Sequence, residues 1–173
     1  MSRGGTSIIL QVGTWLLLCE KQAQFDQHVL EQYKLTGVPI WERTTAYRVE
    51  AAECINELKG AWKWWTVKEP QRKQFVEELV DALKFLAGIA AIDLVSGGPI
   101  GYHAMIHRAY THHVRKNDEM KRLCFSAVDA ATIRRSFGAL LLIAEHLNVT
   151  EQEIIEAFDA KTETNLERIL TNY

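Results

Sequence analysis

Glu50 to Asp81 reads EAAECINELKGAWKWWTVKEPQRKQFVEELVD, and the acidic pairs at its two ends, Glu50/Glu53 and Glu78/Asp81, decide how the chain is read. Each pair is spaced i, i+3, which stacks two carboxylates on one side of a helix. Two such helices packed side by side converge all four on one point. Like charges crowded together repel unless a cation neutralises them. The four candidate ligands are hard oxygens, a donor set suited to Mg²⁺, or Mn²⁺, rather than zinc. Mg²⁺ usually keeps positions open for water and substrate phosphates, so a polyphosphate substrate and a metal-activated water follow. The expected architecture is an all-α helical bundle with its active site between the two carboxylate-bearing helices.

The surrounding periodicity supports helices throughout. Pro39, Pro70 and Pro99 all fall where the helical pattern breaks. A first helix is expected from Ile8 to Tyr33, with Leu18, Phe25, Val29 and Tyr33 at helical spacing, ended by Thr36-Gly37-Val38-Pro39. A second, from Trp41 to Leu58, carries Tyr47, Ala51, Cys54, Ile55 and Leu58 on one apolar arc, before Gly60 loosens the chain. A third runs from Pro70, placed in the first turn where its missing N–H costs nothing, to Leu94. Its core face is Phe75, Leu79, Leu83, Leu86 and Ala90, while Glu78 and Asp81 share a side with Ala82, Phe85 and Ile89. Carboxylates among apolar neighbours need compensation. Ser96-Gly97-Gly98-Pro99 is a break, and Ile100 to Lys116 patterns poorly. One helix from Asp118 to Leu147 is then expected to bury Phe125, Val128, Ile133, Phe137, Leu140, Leu141 and Ile143. Thr150 and Glu153 form a capping box that opens the last helix. No stretch alternates with a period of two, as a strand would.

Composition narrows the class. The 173 residues suit one domain, 1–173, with 47% hydrophobic and 24% charged residues. A net charge of −2 gives no overall basic field for nucleic acid. Cys19, Cys54 and Cys124 are odd in number and lack CxxC spacing, which suits a reducing cytoplasm. Ser7 to Cys19 is apolar after Arg3, but Gln11 interrupts it and it is too short to span a bilayer, so a buried first helix is expected and no membrane contact. His103, His107, His112 and His113 lack an HExxH glutamate or a cysteine set, and they read as a solvated or helix-end cluster.

At this level of detail the chain resembles the dimeric dUTPase family of the all-α NTP pyrophosphatases. The resemblance rests on Glu50/Glu53, then Trp62-Lys63-Trp64-Trp65, then Glu77-Glu78-Leu79-Val80-Asp81 with Phe85. A C-terminal pattern similar to Y-x-x-K-N-x-x-N-x-x-R is met by Phe158, Lys161, Thr162, Asn165 and Arg168, and an N-terminal Gln/Asn pair by Gln22 and Asp26. These motifs occur in the family's order over about Leu16 to Tyr173. The resemblance implies hydrolysis of a deoxynucleoside triphosphate, dUTP first, to the monophosphate and pyrophosphate by a homodimer. It assigns Glu50, Glu53, Glu78 and Asp81 to metal, Glu50 or Glu53 to general base, and Lys63, Lys161, Asn165 and Arg168 to phosphates. Gln22, Asp26, Trp62 and Phe85 are assigned to the nucleoside.

This chain departs from the family pattern at Lys84 (often His), Thr162 (Asn), Phe158 (Tyr) and Asp26 (Asn). An ionised Asp26 only accepts hydrogen bonds, which keeps dCTP or mixed dCTP/dUTP activity as an alternative. Trp62, Trp64 and Trp65 either stack a base or seal the end of the bundle. A rival of another class, a non-catalytic helical interaction or nucleic-acid-binding module, draws on the basic stretch with Arg108, Arg115, Lys116, Lys121 and Arg122, but leaves the acidic convergence without a role.

Overall fold

The computed structural model describes residues 7–171. Its helices are α1 (Val12–Tyr33), α2 (Ile40–Asn56), α3 (Lys59–Trp62), α4 (Arg72–Ile92), α5 (Gly98–Lys116), α6 (Met120–Asp129), α7 (Ile133–His146) and α8 (Glu151–Leu170), with a 3₁₀ turn at Leu94–Ser96. No strand occurs among the described residues, and the expected all-α class holds. None of these helices is long and apolar enough to cross a membrane.

The most apolar helix sits centrally. α4 packs most extensively on α2 and also against α1, α8, α5 and α7. Its expected core face, Phe75, Leu79, Leu83, Leu86 and Ala90, is fully buried, as are Tyr47, Ala51 and Cys54 of α2 and Leu58 at the start of α3. Each such leucine or phenylalanine contributes roughly 1.5–3 kcal/mol by leaving water. Tyr47 is buried whole because its hydroxyl has a partner, donating to Ser136 Oγ at 2.9 Å, and that serine donates onward to the Ala127 carbonyl. Trp15 solves the same problem by donating from Nε1 to the Pro99 carbonyl at 2.7 Å, tying α1 to the start of α5.

The helix ends follow local chemistry, and several differ from expectation. α1 starts at Val12, not Ile8: Gln11 is extended and its N–H donates to Glu151 Oε1 at 2.7 Å, so Ile8 and Leu10 are buried without being helical. α4 starts at Arg72, leaving Pro70 outside: Gln71 is non-helical, with ψ 77°, and its N–H donates to the Glu57 carbonyl. Arg72 then donates to the Leu147 and Asn148 carbonyls and to Glu153, locking the start of α4 to the α7–α8 turn. Gly60 does not loosen the chain. It lies inside α3, and a Cβ there would stand 2.0 Å from the Lys68 carbonyl oxygen.

Two larger corrections concern the C-terminal half. The poorly patterned Ile100–Lys116 stretch forms α5, closed by Asn117 in the left-handed conformation. The single helix expected from Asp118 to Leu147 is two helices, separated where Ala130 turns extended and Thr132 caps α7 by accepting from the Arg135 N–H. That break rotates α6 relative to the longer pattern. Phe125 (62% exposed) and Val128 consequently face outward, whereas Ile133, Phe137, Leu140, Leu141 and Ile143 are buried as expected. Tyr33 is likewise exposed. The capping box at Thr150 and Glu153 is formed as read.

Candidate active site

α2 and α4 carry the two acidic pairs, and their close packing is what brings the pairs together. Glu50, Glu78 and Asp81 each offer a carboxylate oxygen within 4.8 Å of the others, and all three are partly buried. The electrostatic consequence is direct. Burial, then the charge of Asp81, then Glu53, pushes Glu50 up to about 7. Glu78 is raised by burial and by Glu53 and Asp81, with Lys161 opposing. Behind them, burial and the same carboxylates hold the Cys54 thiol far above its ordinary range, so it stays protonated. Glu53 lies outside this trio: it is exposed, and its charge adds to the rise of both Glu50 and Glu78.

A set of hard oxygens that repel one another in partial burial fits a divalent cation, the condition under which all can ionise. One positive side chain already answers them. Lys161 on α8 places Nζ 2.5 Å from Asp81 Oδ2. Asn165 and Arg168 follow Lys161 by four and seven residues, which puts all three on one side of α8. Lys63 lies elsewhere, its ammonium 4.9 Å from the Trp62 ring and 5.9 Å from Trp65. With Lys59, Trp65, Thr66 and Lys68 it lines an open cleft of about 270 Å³. The tryptophans do not seal the bundle as core: Trp64 is 89% exposed, and Trp62 is half-exposed with Nε1 donating to the Ile55 carbonyl.

Of the residues expected at the nucleoside, Gln22 and Asp26 lie on α1 and Phe85 on α4, whereas Trp62 ends α3 beside Lys63. Gln22 donates from Nε2 to Asp26 Oδ1 at 2.7 Å, and both are buried. Phe85 is partly buried against the core one turn beyond Asp81. Asp26 is not a free acceptor for a base, as its type alone suggested. Arg43 of α2 places Nη2 2.5 Å from Asp26 Oδ1. Both sit over Gly88, where a Cβ would stand 1.8 Å from Arg43 Nη1 and 2.9 Å from Asp26 Oδ2. Only glycine leaves that notch.

Lys84 is the other departure with a structural role. It is buried, donates to Thr162 Oγ1 at 2.6 Å and lies 4.2 Å from the Phe158 ring and 5.0 Å from Phe25. Burial lowers it to about 8 against the opposing charges of Asp81, Asp26 and Asp159. Lys84, Thr162 and Phe158, three positions that differ from the family pattern, therefore make one contact set. Arg43 and Gly88 had no signal in the sequence beyond an arginine on an amphipathic helix and a glycine inside one. The histidines hold no metal-ligating group among the described residues: His103 bonds the Leu10 carbonyl at 3.0 Å, and His113 bonds Asp118 at 2.7 Å at the end of α5.

Comparison with known proteins agrees with this geometry at the level of the family. A search of curated proteins finds no match. A family model described as dUTPase matches residues 14–173, from the first turn of α1 through all four carboxylates and α8. With that extent of match on an all-α frame, the chain belongs to the all-α dUTPase family and is an enzyme of the dUTP diphosphatase type.

Proposed function

We propose that the protein is a Mg²⁺-dependent dUTP pyrophosphohydrolase, acting as a single-domain homodimer in the cytoplasm and releasing dUMP and pyrophosphate. The observation that carries this reading is the trio Glu50, Glu78 and Asp81, drawn within 4.8 Å although Glu50 is pushed up to about 7 by the contact. Those three would hold the cation, which when bound neutralises the carboxylates and polarises the phosphates. Mn²⁺ has the same donor preference and is the second candidate.

The chain's own groups supply the remaining steps. Glu53, outside the trio and exposed beside Glu50, would take the proton of the attacking water as its oxygen bonds to phosphorus. The bond from the attacked phosphorus to the α–β bridging oxygen breaks, and that oxygen leaves on the other product, pyrophosphate for attack at the α-phosphorus or dUMP for attack at the β-phosphorus. Lys161, with Asn165 and Arg168 along the same side of α8, supplies charge and hydrogen bonds to the phosphates, Arg168 as a fork. Lys63 is assigned a further phosphate contact from its cleft. Phe85 and Trp62 offer faces to the nucleoside, and Gln22 hydrogen bonds to its base.

The case for dCTP rested on Asp26 as a free acceptor for a cytosine amino group. Its charge is paired with Arg43 and its Oδ1 also receives the Gln22 amide, which supports the dUTP reading over the dCTP one. The test is pyrophosphate release from dUTP, dCTP, dTTP and dATP in Mg²⁺, with and without EDTA. The expected result is EDTA-sensitive release fastest from dUTP; no release from any of the four refutes the reading.

A further inference from the structure

Gln22 is 3% exposed, and once its amide nitrogen has donated to Asp26 its carbonyl Oε1 has no hydrogen-bond partner. Arg43 engages Asp26 through Nη2, and its Nη1 is buried with no partner either. Leaving a buried polar atom unpaired is costly, and native proteins rarely tolerate it without a reason. Here an unpaired acceptor and an unpaired donor flank one carboxylate. They come from two helices, and the missing side chain of Gly88 on a third leaves the space that Arg43 and Asp26 fill.

The position along α4 says what belongs there. Asp81, Phe85 and Gly88 follow one another by four and then three residues, so they share one side of α4. Asp81 to Gly88 is seven residues, about 10 Å of rise. A nucleotide laid along this line puts phosphates at Asp81, the sugar and base face at Phe85, and the base edge against the Arg43–Asp26 pair that lies over Gly88.

We propose that Arg43 reads the pyrimidine edge of the substrate together with Gln22, and that Asp26 is a positioning residue that orients Arg43 without contacting the base. This rests on the nucleotide-hydrolase reading above. Arg43 Nη1 donates to a ring carbonyl, and Gln22 Oε1 accepts from the adjacent N3–H. Uracil meets a donor beside an acceptor in either direction, because its N3–H is flanked by carbonyls on both sides. Cytosine, with a bare N3 and an amino group, meets the pair in one direction only. The aspartate at position 26 thus removes an asparagine's donor, and Arg43 restores a donor from the neighbouring helix.

The test uses the full chain and two probes, dUMP and dCMP, titrated calorimetrically against wild type, Arg43→Lys and Arg43→Gln. Lysine keeps a cation beside Asp26 but lacks the fork, so circular dichroism should report an intact fold even if the glutamine variant unfolds. Arg43→Lys is expected to weaken dUMP binding at least tenfold and to reduce the dUMP-over-dCMP preference. With dUTP and Mg²⁺ it should raise KM about tenfold while kcat changes less than threefold. Unchanged dUMP affinity, or equal losses for dUMP and dCMP, overturns the proposal. Because monophosphate binding needs no turnover, a failure of the hydrolase reading would leave these titrations decisive.

Discussion

Glu50→Gln separates a site built for a cation from a merely acidic patch. In the metal-free protein, carboxylate oxygens within 4.8 Å of one another repel by about 3 kcal/mol at an effective dielectric near 20. The raised carboxyl of Glu50 implies a similar figure. A carboxyl raised from its ordinary 4.5 to about 7 destabilises the fold by up to about 3 kcal/mol once ionised. Glu50 is still partly open to water, and screening reduces this to roughly 1–2 kcal/mol. Because the folded state holds this proton more tightly than the unfolded state, stability falls as pH rises from about 4.5 through 7. Glutamine mimics the protonated form at every pH. In EDTA at pH 8, Glu50→Gln should therefore melt about 3–6 °C above wild type, with the gap nearly closed at pH 4.5. Adding Mg²⁺ should reverse the order, raising only the wild-type Tm, and pyrophosphate release should be lost in the variant. The assay is thermal unfolding followed by circular dichroism across pH, with and without Mg²⁺. A variant that is no more stable than wild type in EDTA at pH 8, or that keeps the full Mg²⁺ shift, refutes the argument.

Two further substitutions probe neighbouring parts of the site. Glu53→Gln leaves the trio of Glu50, Glu78 and Asp81 in place, so it should retain the Mg²⁺-induced rise in Tm while kcat falls about a hundredfold or more. Retained turnover above half of wild type would remove Glu53 from the chemistry. Gly88→Ala puts a methyl 1.8 Å from Arg43 Nη1 and should destabilise by roughly 1–3 kcal/mol in urea unfolding, with a raised KM for dUTP. An unchanged KM would place the notch away from the base.

What the sequence conveys about this molecule divides along the line between local and tertiary information. Glu50, Glu78 and Asp81 were legible because i, i+3 spacing is a property of one helix, and only the pairing of α2 with α4 had to be inferred. The α4 core face and the Thr150 cap were legible for the same reason. The break at Ala130 to Thr132 was not, because alanines are strong helix formers and Thr132 as a cap is a signal only once the chain has left the helix. Phe125 and Val128 were misplaced with it: their spacing fits an apolar stripe, but that stripe belongs to a helix that does not continue.

Asp26 shows the limit most sharply. Read alone, it is an acceptor that an asparagine position has acquired, and its chemistry points toward cytosine. Its partner Arg43 lies on a different helix, and nothing in the local spacing connects them. The pair changes the electrostatic meaning of the position: a buried cationic nitrogen without a partner now stands beside the aspartate, and Gln22 Oε1 is the unpaired acceptor. On the proposal above, substrate choice would be a property of the α1–α2–α4 junction rather than of any one motif position. A homologue with Asp at 26 but no arginine facing it would be expected to lose the preference for uracil, whereas one that restores Asn at 26 has no need of Arg43.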